Sequence, residues 1–358
     1  MVKYIIDKIF YSLLTLFGVV TVIFFLFNVL PGDPAQMMLG QNENSQQLKV
    51  VKKKYGFDKP IISQYVLYLN DLSPISFHSN NLEDYSYFNK NNYSGIQIIK
   101  LSNFTINAKL PYLRTSFVSQ GKKVSEIISD TLPNTFILAV SAILIAITFG
   151  IFLGIISALN KNTIIDLIIQ VFSTVGMSVP SFFSAIIFAW VFGFLLKDYT
   201  GLEMSGSLYE LDDYGESFHL KLKNLILPSI VLGIRPLAVI SQLMRNELLN
   251  VLNQDYIRTA RAKGLSEFNV IKNHALKNSL NPVVTVISGW FASLLAGAVF
   301  VEYIFGWNGI GKEIVNALNL LDLPVIMGSV LVIAFMFILI NILVDIIYLK
   351  LDPRIKIN

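Results

Sequence analysis

Apolar residues in this chain are gathered into long runs rather than spread with the periods of half-buried elements. Runs over 9–30, 134–159, 165–196, 224–246, 282–301 and 325–348 reach the roughly 20 residues a helix needs to cross a bilayer. The third is longer than one straight span requires and contains Pro180, which removes a backbone donor and collides with the preceding turn, so a kink or break is expected there. Splitting it would give seven spans; six is the preferred count, because "MSVPS" offers no polar loop between two helices. The interval 31–130 has a different pattern. Residues 46–69 predict an amphipathic helix, and 70–110, rich in Asn, Ser and Tyr, contain short alternating runs, "IQIIKL" and "FTINAKL", that predict strand. The expected architecture is an all-α membrane protein with six transmembrane helices and a small subdomain between the first and second. Its divisions are 1–30 (N-terminus and first span), 31–130 (subdomain), 131–348 (core of five spans) and 349–358 (tail).

Composition supports this class: of 358 residues, 54% are hydrophobic and 15% charged, against about 25% charged in soluble domains. Cysteine is absent, which excludes disulfides, thiolate metal sites and a Cys nucleophile. Lys3 and Lys8 before an apolar run resemble a signal peptide. The run exceeds the usual h-region, however, and no small-residue cleavage site follows, so it reads as a retained first helix. With the N-terminus inside, one set of loops carries Lys161, Arg245, Arg258, Arg261, Lys263, Lys272, Lys277, Lys350, Arg354 and Lys356. The opposite short loops carry Lys197, Lys221, Lys223 and Lys312 among eight acids. That bias places both termini in the cytoplasm and the 31–130 subdomain outside.

The segment "DYIRTARAKGLSEFNVIKNHALKNSLNP", 255–282, is polar and basic between two spans. Tyr256, Ile257, Ala260 and Gly264 recur at helical spacing, Gly264 suits a left-handed helix end, and Ser266 suits the next N-cap with Glu267 beside its positive end. The second helix is expected to carry Phe268, Ile271 and Ala275 on one face. A solvated basic loop is one reading. A DNA-binding helix pair is another, but tethering to two spans leaves poor access to a groove. The third is a docking element for a cytoplasmic partner, with Ala260 and Gly264 allowing close approach and Arg258, Arg261 and Lys263 supplying charge.

At these residues the chain resembles a known family. "YIRTARAKGL" followed by "HALKNSLNPV" looks like the cytoplasmic EAA-type loop of ABC importer permeases, specifically the first permease subunit of the oligopeptide/dipeptide/nickel branch. "LPGDPA" (30–35), "KKYGFDKPIISQY" (53–65), "TLPNTFILA" (131–139), "SVPSF" (178–182), "GIRPLA" (233–238), "VEYIFGWNGIGK" (301–312) and "LDPRIK" (351–356) resemble that family in its order; only about 70–110 falls outside the likeness. Arg258 stands where the general importer pattern has Glu, and His274 and Lys277 where it has Ile and Pro; these departures look like the peptide/nickel branch itself. The resemblance implies a type I ABC importer permease, non-catalytic, in the bacterial cytoplasmic membrane. Its implied partners are a homologous second permease, two cytoplasmic ATPase domains that hold ATP and magnesium, and an extracytoplasmic solute-binding protein. This chain would bind no cofactor, metal or nucleic acid. The loop 247–281 would couple to the ATPases through Tyr256, Arg258, Thr259, Ala260, Arg261, Lys263, Gly264, Leu265 and His274. The outer turn with Trp307, Gly309 and Gly311 would face the receptor. The implied substrate is an oligopeptide or dipeptide, with nickel or another small solute as the alternative.

"GWNGIGKE" (306–313) nearly spells a P-loop, but Glu313 stands where Ser/Thr would meet magnesium and no strand precedes it, so a Gly-rich outer turn is expected. Arg235, near the middle of the fourth span and followed by Pro236, either lines a path or gate or is paired structurally; both readings stay open. Pro180 and Ser181 are candidates for the same path, and Asp166 reads as a surface residue. A stand-alone secondary transporter would need repeat symmetry and midspan acids, neither visible. A membrane hydrolase would need a nucleophile–base set within the spans, which is also not visible.

Overall fold

The computed structural model describes residues 2–29, 35–36, 45–82, 84–119, 121–212 and 214–351. The "LPGD" of the first family-like motif and the tail after 351 lie outside the described residues. In chain order the elements are α1 (Val2–Val29), α2 (Ser45–Tyr55), α3 (Ile61–Leu72), β1 (Ile75–Ser79), β2 (Gly95–Lys100), β3 (Phe104–Lys109), α4 (Val124–Leu159), α5 (Ile164–Ser178), α6 (Ser181–Trp190) and α7 (Lys197–Thr200). Then follow β4 (Tyr209–Leu211), β5 (Phe218–Leu220), α8 (Lys223–Leu252), α9 (Asp255–Ala262), α10 (Glu267–Asn269), α11 (Leu276–Gly297), α12 (Val299–Phe305), α13 (Ile310–Asn319) and α14 (Leu323–Leu351). Two π-wound turns, Val191–Leu195 and Val270–Ala275, continue α6 and join α10 to α11.

Among the described residues, five helices are long and apolar enough to cross a membrane: Ile6–Asn28, Val124–Leu159, Lys223–Leu252, Glu267–Ala296 and Leu323–Val344. The sixth run is two helices, Ile164–Ser178 and Ser181–Leu195, bent by 108°. The break follows from sequence: the residue before a proline is pushed out of the helical region. Val179 accordingly sits at φ −77°, ψ 128°, and Pro180 at φ −61°, ψ 140° begins the second limb. Pro228 and Pro236, by contrast, are buried inside a helix that continues through both.

The chain forms two compact units, 9–130 with 313–334, and 131–312 with 1–8 and 335–358. Residues 313–334 group with the N-terminal half and not with the rest of 131–348. Asp322 is the reason: its carboxylate accepts from the Ser116 hydroxyl, from Phe117 N at 3.0 Å and from Val118 N at 3.3 Å. Met327 and Leu331 then pack with Val20, Ile23, Phe24 and Tyr68.

Within that unit, the expected single helix over 46–69 is two. Gly56, at φ +71°, ends the first in a left-handed turn, and Pro60 leads into the second. The "IQIIKL" and "FTINAKL" runs are β2 and β3, which with β1 make an antiparallel sheet of order β1-β3-β2. Beside it lies Asp71, 1% exposed, whose carboxylate accepts from Tyr85 Oη (2.8 Å), Tyr93 Oη (3.0 Å) and Arg114 Nε (3.0 Å). The Lys109 ammonium donates to the Asp71 carbonyl, and burial brings Lys109 down to about 8 although Asp71 opposes the shift. The Arg114 guanidinium also stacks over Tyr68 and Tyr85, 5.1 and 5.7 Å from their ring centres.

A buried charge left without its partner costs about 3–5 kcal/mol. Asp71→Ala, which strands Arg114, is therefore expected to shorten sharply the proteolytic half-life of the 9–130 unit in the detergent-solubilised full chain. Lys59→Ala, which breaks a half-exposed pair with Asp84 at 3.3 Å, should change it little, since such pairs contribute about 0–1 kcal/mol.

Candidate functional site

The basic segment folds as two short helical pieces against the membrane core. After α8 only Asn253 and Gln254 intervene before α9, and α10 runs through the π turn directly into α11. Gly264, at φ +78°, makes the left-handed turn between them, and nothing lies within 4 Å of where its side chain would project. Ser266 caps α10 by accepting from Asn269 N at 3.5 Å. Ile257 and Ala260 point inward and join a core with Met244, Leu248, Val270 and Ala275. The outward face carries Tyr256, Arg258, Thr259, Arg261, Lys263, Gly264, Leu265 and His274, all exposed.

Three sequence expectations change here. Ala260 is buried at 6% exposure, so it packs against its own chain and is not a contact for a partner. Arg261 is not a free charge: it grips Glu267 with Nε at 2.7 Å and Nη2 at 3.2 Å, bracing the Gly264 turn. Phe268, Ile271 and Ala275 do not share a face; Phe268 is 70% exposed and the buried pair is Val270 and Ala275. The segment is π-wound, so residues five apart align, whereas the reading from sequence assumed α spacing.

Above this pair, α11 carries its polar residues outward. Asn281, Thr285, Gly289 and Ser293, in steps of four, are exposed, while Val283, Ala292, Leu294 and Leu295 are buried. An i, i+4 polar rhythm inside an apolar run is the signal in the sequence that marks this face. Small and polar residues on a span face a neighbouring helix or a wet path rather than lipid. On the adjacent α8, Arg235 is exposed with its guanidinium 5.9 Å from the Trp290 ring centre on α11. It has no hydrogen bond or acid partner among the described residues, while Pro236 is buried. Pro180 is exposed and Ser181 half-buried at the break between α5 and α6.

The 301–312 turn is built inward. Trp307 is fully buried and donates Nε1–H to the Asn134 carbonyl at 3.0 Å. Gly309 and Gly311 are buried against Glu302, which accepts from Gly311 N at 2.7 Å and Lys312 N at 3.3 Å. Their expected role as receptor-facing residues is therefore corrected: their side of the turn is spent on packing, and Asn308 is the exposed position. The P-loop likeness dissolves as well, because the Lys312 ammonium binds the Gly306 carbonyl (3.0 Å) and Asn308 Oδ1 (2.8 Å) of its own turn.

Asp166, expected at the surface, is 2% exposed. Arg245 holds it bidentately, Nε to Oδ1 and Nη2 to Oδ2, both at 2.7 Å. Ser157 Oγ (2.5 Å), Gln170 Nε2 (2.9 Å) and Asn162 N (3.0 Å) also donate to it. Its partner lies 79 residues away, beyond any local pattern.

Comparison with known proteins bears on the same regions. The family model described as binding-protein-dependent transport system inner membrane component matches residues 150–357, and the model of that component's N-terminal region matches residues 1–77. The chain is 34% identical to the dipeptide transport system permease protein DppB of Alkalihalophilus pseudofirmus, across 95% of each chain. It is 35% identical to the di/tripeptide transport system permease protein DppB of Pseudomonas aeruginosa, across 96% of this chain and 95% of that one. Among solved structures, a chain of the inward-facing MetNI methionine ABC transporter superposes with a TM-score of 0.50 at 14% identity, over 64% of this chain and 97% of that chain, a likeness of fold.

Glu302 generates a pH prediction. Burial raises its carboxyl from 4.5 to about 7, outweighing Thr135 and the two backbone N–H groups, which favour the ionised form. The folded chain thus keeps a proton that the unfolded chain releases. Its stability is highest below about pH 4.5 on this account and declines as pH rises to about 7, by roughly 3 kcal/mol. Unfolding midpoints in detergent should show that decline, and Glu302→Gln should remove it.

Proposed function

Because the chain belongs to the inner membrane components of binding-protein-dependent transport systems, we propose that it is the permease subunit of an ATP-driven importer of short peptides. The observation that carries this reading is the exposed, partly basic face of α9 and α10, set on a buried core and joined without slack to two spans. Peptides are the substrate class because the relatives that match nearly the whole chain are named for dipeptides or di- and tripeptides.

In this reading both termini and the 255–275 helices are cytoplasmic and the 31–130 subdomain is on the opposite side, as the lysine and arginine bias favours. Two ATPase domains hold the ATP and magnesium and perform the hydrolysis. One of them receives Tyr256, Arg258, Lys263, Leu265 and Phe268 in a groove. A homologous second permease supplies the other half of the pathway, and a binding protein delivers the peptide. The outward polar stripe of α11 and the unpaired Arg235 line this chain's half of the path. A cation there would otherwise cost at least about 2.5–3.5 kcal/mol in lipid. The break at Pro180 and Ser181 lets one limb of the third span move at the gate.

Gly264→Trp tests the docking. A side chain at φ +78° costs about 1–2 kcal/mol and its bulk projects into open space. ATP-driven peptide uptake by vesicles carrying the reconstituted complex should be lost; unchanged uptake would remove the docking reading. Arg235→Ala should lower uptake while leaving the amount of assembled complex unchanged, and loss of assembly instead would place Arg235 in a subunit contact.

A further inference from the structure

Helix α8 is fastened to its neighbours at its lower half by two independent devices. The first is close packing. Gly150 and Gly154 on α4, four residues apart, face α8; a side-chain carbon at Gly150 would lie 3.0 Å from the Leu237 carbonyl oxygen, and at Gly154 2.6 Å from that of Ser241. Backbones meet there because no Cβ intervenes, the arrangement of small-xxx-small helix contacts. The second is the buried Asp166 carboxylate, which five donors from α4, the 160–163 turn, α5 and α8 converge upon. The turn is wound for this: Asn162 takes φ +62°, so that its N–H points at Asp166, while Thr163 caps α5. From Arg245 the helix α8 runs on to Leu252 through Leu248, whose side chain packs in the same core as Ile257 and Ala260 of α9.

We propose that Asp166 and Arg245 are positioning residues that lock α5 to α8, so that the α9 helix, the lower half of α8 and the first limb of the broken span move as one rigid piece. The proposal rests on the importer reading above. Motion given to α9 by an ATPase reaches α5 through this joint and is released at the 108° break before Ser181. A guanidinium–carboxylate fork suits the task, since two parallel bonds fix orientation as well as distance. A single cation–anion contact would allow rotation.

The chain has no cysteine, so spin labels can be placed on introduced cysteines, one of them at exposed Phe172 on α5. With the α9 label placed off the docking face at exposed Gln254, the N-cap of α9, the separation in the complete reconstituted transporter is expected to be the same with and without ATP. With Asp166→Asn it is expected to become nucleotide-dependent. Peptide moved per ATP hydrolysed should then fall about ten-fold, within the range of inter-site couplings, with ATPase activity per assembled complex retained. Arg245→Lys, which keeps the charge and loses the fork, should fall between; it serves if Asp166→Asn fails to assemble. Lys161→Ala, in the same turn and exposed, should change neither readout. A separation that varies with ATP in the unaltered protein, or that stays constant in both variants, overturns the joint, as does an unchanged peptide-to-ATP ratio. Absence of ATP-driven uptake by the unaltered complex would instead remove the importer reading.

Discussion

Close approach of helix α8 to its neighbours is the constraint on which the larger unit depends. Lipid offers no hydrophobic drive for one span to seek another, so association rests on packing and on buried polar contacts. Here both occur on the same helix. Gly233 meets the Ala142 carbonyl, Gly150 and Gly154 meet the α8 backbone, and Arg245 meets Asp166. Ile240, Met244 and Leu248 are buried, and Ile257 and Ala260 extend their core into the polar segment below. That segment is therefore part of the permease core even though its outward face is hydrophilic.

The distribution of polarity then separates the faces of this unit by task. The interior holds a few carboxyl groups, Asp166 gripped by five donors and Glu302 by two backbone N–H groups on one oxygen. The outward face of α11 and the neighbouring Arg235 carry polar groups with little to satisfy them among the described residues. A protein that functions alone in lipid would bury that stripe. A subunit that shares a pathway with a partner has reason to leave it outward. Glu302 draws the Gly309–Lys312 backbone around itself, which is why a glycine-rich stretch that resembles a phosphate loop has no free N–H cradle for phosphate.

The smaller unit also relies on buried polar contacts. Its sheet is short and has one exposed strand, so much of its order comes from polar contacts that cross long sequence gaps. Asp71 gathers two tyrosines and Arg114, and Asp322 gathers the backbone of 117 and 118. No local rhythm of Asn, Ser and Tyr announces which acid will be central.

What was legible in the chain was what neighbours within a few residues decide. Apolar run length set the spans, Pro180 the break, Gly264 and Ser266 the turn and cap of the basic segment, and alternation in "IQIIKL" and "FTINAKL" the strands. These follow from backbone sterics and side-chain period, which are local. The tertiary structure alone decided which polar residues lie inside. Asp166 moved from the expected surface to a buried fork, Trp307, Gly309 and Gly311 from an expected contact face to packing, and Ala260 from docking to core. It also decided that π winding would pair Val270 with Ala275 and leave Phe268 outside. The partners responsible stand as far as 79 residues away for Asp166 and 173 for Trp307, and burial depends on such distant contacts, which no window of sequence contains.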